Sequence, residues 1–457
     1  MKTPLTIALA ITLALACLPL SGCVSHLQPK QPTTISIWHV YGAQTDSPLN
    51  DLVETFNNTV GVEEGIRVEV TMVSNNKNIH EDILAAANDE PGAAALPDIF
   101  VAYPKTVLAL PDPSALVDYR DYFSEEELSS FVPSFLEDGT VDGRLTCLPV
   151  AKSTEMLFVN KTDFDRFSKA TGITIDSLET WEGLFAACCA YEKWTDGLTP
   201  DVKNDGKAFL VHDFHFNYFQ VGAASLGSSF FDGQNISFNT TTEDMWRPYA
   251  QAAIVGGIWL QDGYATEPLR TGEAIASVAS SASVLYFTNE VIHSDNTTEN
   301  VEFEILPCPT FANGKKMVMQ RGAGMCTVKS TPEKEQAAIR FLKWLTEAER
   351  NTQFAVSTGY MPVKTEAYDT YLPAAVDGLT DQKYIELYEA YSQTQKSYEF
   401  YSAPQSEDYL KVETGFETNI RKHLAAARKT YLEANESDKA TLDKLTTESY
   451  EQFKDGY

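Results

Sequence analysis

Strand-like and helix-like segments alternate over the first hundred residues, and this order constrains the fold more than any other feature of the sequence. An alternating strand pattern starts at Ile35, and Ser47-Pro48 then opens a helix with Ser47 as its N-cap. The series continues with a strand over 66–72, a helix over 80–88 and a buried strand over 98–102. Strands separated by helices pair in parallel, so the sequence predicts an α/β fold. Ligands of such sheets bind beyond the carboxyl ends of the strands.

A second α/β pattern begins after residue 146. Further strands are predicted at 147–150, 157–160, 274–278, 302–306 and 317–328. Helices are predicted near 180–192 and after Thr331-Pro332, and the Tyr-, Lys- and Glu-rich last hundred residues are also expected to be helical. The chain of 457 residues, 43% of them apolar, is long enough for two or three domains with hydrophobic cores.

The charge balance excludes one large class of partner. Acidic residues number 64 against 35 basic ones, for a formal charge of −29. No stretch concentrates Lys and Arg as a phosphate backbone requires, so we expect no binding to nucleic acid. The same excess of negative charge repels anionic ligands unless local donors offset it.

The N-terminus predicts export. The apolar run 5–20 follows one basic residue and is shorter than a membrane-spanning helix, which is typical of a secretory signal. Leu20-Ser21-Gly22-Cys23 is similar to a bacterial lipobox, and this resemblance implies a lipoprotein signal peptide over 1–22, lipidation of Cys23, and an anchor and linker over 23–34. An ordinary signal peptide followed by a chance cysteine is the alternative.

The cysteines, the histidines and the enzyme-like motifs do not predict a disulfide framework, a metal site or a catalytic site. Five cysteines remain beyond Cys23, an odd number without regular spacing, which argues against a disulfide framework and for buried small residues. His80-Glu81 lacks a second histidine at the zincin spacing, and His212 with His215 lacks an evident third ligand, so no metal site or cofactor is predicted. The segment 223–227 lacks the first glycine of a nucleophile elbow, so we do not expect an enzyme.

Six motifs in order along the chain resemble landmarks of one family. They are Ile35-Ser36-Ile37-Trp38-His39, Pro97-Asp98, Leu148-Pro149-Val150 leading to Phe158-Val159-Asn160-Lys161, Thr180-Trp181-Glu182, the helix 338–345 with Glu347-Ala348-Glu349, and Thr358-Gly359-Tyr360-Met361-Pro362-Val363. Together they resemble the extracellular solute-binding proteins of ABC importers, the maltose-binding class. Within that class the chain looks most like the glycerol-3-phosphate and glycerophosphodiester branch, because 279–283 and Tyr360 fall where that branch has ligand residues.

This resemblance implies a two-lobed periplasmic-binding-protein-like fold with a hinge between the lobes, each lobe being a mostly parallel sheet flanked by helices. The N-lobe would take 35–150 and 316–352, and the C-lobe 151–315 and 353–457. A monomer anchored to the outer face of the cytoplasmic membrane, or periplasmic, would capture a small-molecule ligand and deliver it to the transmembrane subunits of an ABC permease. An anchored glycoside hydrolase or esterase and a surface adhesin are the competing classes.

The resemblance also implies site residues, each of which has a plainer alternative. Ser153 and Ser281 match ligand serines, or they are turn residues. Gly322 matches a glycine that admits backbone N–H groups to the ligand. Arg321 would be a forked donor for an anion or a surface salt bridge, and Tyr360 a ligand tyrosine or a core residue.

Aromatic rings beside these positions could form platforms for a sugar ring or a quaternary ammonium group. Candidates are Trp38, Tyr41 and Tyr103 at the ends of N-lobe strands and Phe214, Phe216 and Tyr218 where family members carry a cleft tryptophan, each as readily a core residue.

Departures from the branch concern the phosphorylated ligand. Ile79, beside the candidate His80, replaces a tyrosine, and Pro104 replaces a carboxylate that would hold glycerol hydroxyls. The segment 398–411 contains no arginine to match the branch's C-terminal one. A neutral sugar or oligosaccharide is therefore favoured over a glycerol-phosphate compound.

The lipobox leads to a first prediction. Cys23→Ser removes the thiol that would carry the lipid, so we expect the variant to move from the membrane fraction to the soluble fraction of cell lysates. Cys17→Ser, inside the apolar run, is the control and should leave the protein on membranes. Retention of Cys23→Ser on membranes would contradict lipidation at this residue.

Overall fold

The computed structural model describes residues 31–42, 47–75, 78–406, 408–434 and 438–457. The predicted signal peptide 1–22 and the lipidation site Cys23 lie outside the described residues. Within the described ranges, no helix has the length and apolar character needed to cross a bilayer.

The strands, numbered in chain order, are β1 Thr33–His39, β2 Ile66–Val73, β3 Ile99–Ala102, β4 Thr140–Val141, β5 Arg144–Leu145, β6 Leu148–Pro149, β7 Ser153–Asn160, β8 Leu210–His212, β9 Phe231–Asp232, β10 Asn235–Ile236, β11 Ile258–Trp259, β12 Ala276–Ser280, β13 Glu290–Ile292, β14 Thr298–Asn300, β15 Phe303–Pro307, β16 Met317–Arg321, β17 Gly324–Thr327 and β18 Glu399–Tyr401.

The α-helices are α1 Pro48–Asn58, α2 Val60–Glu64, α3 Ile79–Ala87, α4 Pro104–Leu108, α5 Glu125–Ser129, α6 Pro133–Asp138, α7 Lys161–Thr171, α8 Trp181–Asp196, α9 His215–Ser225, α10 Thr240–Val255, α11 Thr266–Arg270, α12 Pro332–Leu345, α13 Ala348–Thr358, α14 Leu372–Asp377, α15 Gln382–Ser397, α16 Tyr409–Glu433 and α17 Lys439–Lys454.

The first sheet has the strand order β2-β1-β3-β17-β6. β1 pairs in parallel with β2 and β3, as the strand and helix alternation predicts, whereas β17 returns antiparallel to β3 and β6. Helix α1 begins at Pro48 with Ser47 as N-cap, as predicted, and buries Leu49, Val53 and Phe56. Helices α1, α3 and α12 contact this sheet, so it has a helical layer around its core.

The second sheet has the order β11-β8-β12-β7-β16-β18, and β15 also pairs with β7. β7 pairs with β12, β15 and β16 and so lies in the middle of this sheet, and all eight of its residues are buried. Parallel pairs flank antiparallel pairs, so the sheet is mixed. The predicted α/β class is therefore confirmed. The residue boundaries of the two lobes stay a prediction, but strand pairing places β16, which was predicted to belong to the N-lobe, in the second sheet.

The segment 317–328, predicted as one strand, is two strands in different sheets. Gly322 divides it, with a φ of 95° that is open to glycine and strained for other residues. A Cβ at Gly322 would lie 2.6 Å from Lys152 Cα and 2.7 Å from Ala151 O. Two connectors, 150–152 and 322–323, thus run side by side from sheet to sheet. The Lys152 ammonium closes this crossing by donating to Gly322 O at 2.7 Å.

The crossing leads to a stability prediction. Gly322→Ala should lower the free energy of unfolding by at least about 2 kcal/mol more than Gly92→Ala, because Gly92 has nearly the same φ of 93° but no atom within 4 Å of its added Cβ. Urea unfolding of both variants measures the difference. Equal losses would show that the connectors do not pack as closely as described.

Candidate functional site

Residues that follow the strands of both sheets meet between the sheets. Tyr103 follows β3 of the first sheet, while Asp213 and Phe214 follow β8 of the second. Arg321 ends β16 and interacts electrostatically with Tyr103 and Asp213. This position, at the ends of strands from two sheets, is where an α/β architecture binds ligands.

The Arg321 guanidinium is the electrostatic centre of the site. Its Nη1 donates to Glu155 Oε1 at 3.4 Å, and its Cζ lies 4.7 Å from the centre of the half-buried Phe214 ring. Burial alone would lower the pKa of Arg321, but Glu155, Tyr103 and Asp213 raise it overall. Arg321 is therefore a desolvated cation that already has a carboxylate partner.

Glu155 extends this pair into the second sheet's interior. Its carboxylate accepts from Asn217 Nδ2 at 2.7 Å, and Asn217 Oδ1 accepts from Gln220 Nε2 at 3.0 Å. Gln220 in turn donates to the hydroxyl of Tyr409 at 2.8 Å. Burial raises the pKa of Glu155, and the charge of Arg321 and the hydrogen bond from Asn217 oppose this rise. These links fix the orientation of Glu155 toward Arg321.

An ion pair joins the two sides beside Tyr103. Lys105, on α4, pairs with Glu413 of α16, and the Lys105 ammonium lies 5.6 Å from the Tyr103 ring centre and 5.9 Å from that of Tyr409. Burial and the Lys105 charge lower the pKa of the half-buried His80, while Glu413 is among the carboxylates that oppose this shift. Glu413 thus supplies a carboxylate near Tyr103, although Pro104 occupies the position after that tyrosine.

A second group of polar side chains contains unpaired hydroxyls. The rings of Tyr41 and Tyr360 meet edge to face with centres 5.4 Å apart. The Tyr41 hydroxyl and Ser281 Oγ are buried and have no hydrogen-bond partner among the described residues. A Cβ at Gly359 would lie 2.8 Å from Ser281 O, so this glycine, with a φ of 72°, lets the Tyr360 segment approach Ser281. A ligand hydroxyl would satisfy groups of this kind.

The structure thus brings Tyr103, Arg321, Phe214 and His80 together, and Tyr41 with Tyr360 and Ser281 alongside them. Electrostatic interactions of Tyr360 with Tyr103 and Arg321 connect the two groups. Burial, with these tyrosines nearby, raises the pKa of Tyr360.

Of the other predicted site residues, Trp38, Phe216 and Tyr218 lie in the cores, whereas Ser153 and Gly322 lie beside Arg321 in the backbone of the crossing. Trp38 is 3% exposed and packs in the first sheet's core. Phe216 packs edge to face against Phe230 and Tyr409, and Tyr218 against Trp181, all in the second core. Ser153 is paired with Arg321 in the β7–β16 ladder, and Gly322 lies against the backbone of the first connector.

Sequence reasoning missed several charged residues of the site. Glu155, Asp213, Glu413 and Lys105 belong to this set. A charged residue inside the otherwise apolar strand β7 was the available signal for Glu155. Nothing in the sequence connects Glu413 with Tyr103, because they are 310 positions apart and meet only through the fold.

Two buried histidines, His212 and His215, flank Asp213 and Phe214 in the sequence. Burial and nearby charges lower the pKa of His212 to about 3, and His215 hydrogen-bonds to Tyr249. Glu417 accepts from the Phe216 backbone N–H at 2.8 Å and pairs with Arg421 at 2.9 Å. No group of three or more His, Cys, Asp or Glu side chains suited to a metal ion occurs in the described part of the chain.

Comparison with protein families matches residues 51–381, more than two thirds of the chain, to a family described as bacterial extracellular solute-binding protein. Among curated protein sequences, none matches this chain significantly.

Solved structures share the fold over nearly the whole chain. A cyclic alpha-maltosyl-1,6-maltose binding protein from Arthrobacter globiformis has a TM-score of 0.62 and 19% identity, covering 93% of this chain and 100% of its own. An ABC substrate-binding protein from Listeria monocytogenes in complex with cycloalternan has a TM-score of 0.68, 15% identity, and coverages of 93% and 98%. UgpB from Mycobacterium tuberculosis in complex with glycerophosphocholine has a TM-score of 0.67, 16% identity, and the same coverages.

The buried carboxyl group of Glu417 leads us to predict that stability depends on pH. Burial raises the pKa of Glu417 to about 7, so the folded state holds a proton that the unfolded state releases near pH 4.5. The free energy of unfolding should therefore fall as the pH rises from about 4.5 through 7. Glu417→Gln should reduce this fall by about 1–3 kcal/mol.

Chemical unfolding at a series of pH values measures this effect. Glu433→Gln, an exposed carboxyl on the same helix, is the control and should keep the wild-type profile. A wild-type profile for Glu417→Gln as well would count against the raised pKa.

Proposed function

Because the chain belongs to the family of bacterial extracellular solute-binding proteins, we propose that it captures a neutral sugar or oligosaccharide between its two lobes and delivers it to the membrane subunits of an ABC importer. The family is one of binding proteins, which sets aside the glycosidase and esterase alternatives. Family membership also implies export.

The existing ion pair of Arg321 is the observation that favours a neutral ligand. Its guanidinium, for which the sequence left an anion donor and a salt bridge as alternatives, already contacts Glu155 and interacts electrostatically with Asp213 and Glu413. A phosphate would have to displace these carboxylates or approach them at close range, which costs electrostatic free energy in a desolvated site. A hydroxyl group is uncharged, so these carboxylates do not repel it.

Sugar hydroxyls both donate and accept, and the site offers partners for both roles. Glu155 and Glu413 accept, Arg321 and Lys105 donate, and the Tyr41 hydroxyl and Ser281 Oγ are unpaired. The rings of Tyr103 and Phe214 supply apolar faces of the kind on which sugar rings dock. Two proteins that share the fold support a sugar: the Arthrobacter protein binds cyclic alpha-maltosyl-1,6-maltose, and the Listeria protein was solved in complex with cycloalternan.

A glycerol-phosphate compound is the second candidate, and one observation favours it. Glu413 places beside Tyr103 the kind of carboxylate that Pro104 removes from the sequence motif, and Lys105 adds a cation there. UgpB, which shares the fold, was solved with glycerophosphocholine.

Anchoring completes the proposal. Lipidation at Cys23 would hold a monomer at the outer face of the cytoplasmic membrane, with 24–32 as the linker to β1, which begins at Thr33 rather than after 34 as predicted. The permease and ATPase subunits are the partners that the family implies.

Calorimetry with glycerol-3-phosphate, glycerophosphocholine and sets of malto- and xylo-oligosaccharides tests the proposal. We expect saturable binding of a sugar without turnover. Tight binding of a phosphorylated compound and of no sugar would overturn the preference, and turnover of any compound would overturn the binding function.

Hydroxyl deletions locate the site. Ser281→Ala and Tyr41→Phe should each raise the dissociation constant of the bound sugar by a factor of about 5–100, because each removes a partner available to the ligand. Ser277→Ala is the matched control, since Ser277 Oγ is also buried and unpaired among the described residues but lies within β12, four positions before Ser281. Equal affinities in all three variants would place the ligand elsewhere.

A further inference from the structure

Two cysteines far apart in sequence touch in the first sheet. Cys147 Sγ and Cys326 Sγ are 3.5 Å apart, and the two residues are 179 positions apart along the chain. Both are buried, with exposures of 1% and 0%. The other described cysteines lie in the second core or beside it, on α8 and after β15.

The pairing of β17 with β6 brings these thiols close together. β17 pairs antiparallel with β6, with Gly324 opposite Pro149 and Met325 opposite Leu148. Cys326 and Cys147 are the next residues beyond these two pairs, and their sulfur atoms are in contact. Sulfur atoms 3.5 Å apart are about 1.5 Å farther apart than the bonded sulfurs of a disulfide. A rotation of the side chains is then sufficient to bring the sulfurs into bonding distance.

We propose that the exported protein carries a disulfide between Cys147 and Cys326. The family is extracellular, and disulfides form and persist outside the reducing cytoplasm. This proposal depends on export and on the geometry of the first sheet, and it stands whichever solute is bound.

The bond would form by exchange with an external disulfide. The thiolate of one cysteine attacks the oxidant's disulfide and releases one of its sulfurs as a thiol, which leaves a mixed disulfide. The second cysteine attacks that mixed disulfide and releases the other thiol. Overall, two S–H bonds of the protein are lost and one S–S bond forms. The two electrons and two protons reduce the oxidant disulfide to two thiols.

Burial dictates when this exchange occurs. In the folded protein burial raises the pKa of Cys326 well above its usual value, so the reactive thiolate is scarce, and an oxidant cannot reach either sulfur. The exchange therefore takes place while the chain folds after export. Once formed, the same burial protects the bond from reductants.

The position of the bond gives it a structural role. β6 leads into the connector 150–152, and β17 follows the connector 322–323. The chain between the two cysteines contains β7 to β16, that is, most of the second sheet. A bond here ties together the first-sheet ends of both connectors, so it closes the base of the inserted segment and restricts the unfolded chain.

Peptide mapping tests the bond directly. The full-length protein is exported in cells, alkylated with iodoacetamide under denaturing conditions during lysis and digested with trypsin without reductant. We expect peptide 145–152 joined to peptide 322–329, and their separation after reduction. Alkylated Cys147 and Cys326 in place of the joined peptides, or a bond from either to another cysteine, would overturn the proposal.

Thermal unfolding supplies a second measurement. Reductant present during unfolding should lower the wild-type midpoint by about 3–8 °C, while Cys147→Ser/Cys326→Ser should show no response to reductant. Cys188→Ser, in the second core, is the control and should keep the wild-type response. A reductant response in the double variant equal to wild type, or none in wild type, would contradict the bond.

Discussion

The close packing of two connectors against each other is the constraint on which the rest of this structure depends. The chain passes from the first sheet to the second at 150–152 and returns at 322–323, and Gly322 has no space for a side chain there. Lys152, almost fully buried, spans the crossing between Asp138 and Gly322 O. Because β7 and β16 leave this crossing as an antiparallel pair, Arg321 and Ser153 take fixed places beside it. The site inherits its geometry from the crossing.

The charges of the site are balanced before any ligand arrives. Lys105 pairs with Glu413 and Arg321 with Glu155, and each pair includes a residue that is shielded from water. Leaving one partner of a buried ion pair without the other is costly. A ligand hydroxyl can instead insert between the two partners, because it donates a hydrogen bond to the carboxylate and accepts one from the cation. The acidic surface of the protein and the paired cations of the site therefore act in the same direction and disfavour an anionic ligand.

The fold was predictable from the sequence because its signals are local. Alternating apolar residues and the Ser47 and Thr331 caps predict helices and strands that the structure contains within a few residues. The single strand expected over 317–328 was wrong because periodicity does not register a glycine with positive φ. The site was only partly predictable. Tyr103 and Arg321 follow from motifs, but Glu413 reaches them through packing of α16, and Phe216 and Tyr218 point into a core that their position alone does not reveal.

Direct contacts between the two sides of the site bear on how tightly a solute can bind. Lys105 with Glu413 joins α4 to α16, and the Tyr286 side chain lies close enough to the Gly42 backbone to hydrogen-bond with it. Both contacts connect loops that follow strands of one sheet to elements packed on the other. If a solute breaks these contacts when it binds, the free energy of the contacts is subtracted from the binding free energy. A solute that leaves them intact binds to a site that is already assembled. Affinity is therefore decided by whether the solute fits around the Lys105–Glu413 pair or replaces it.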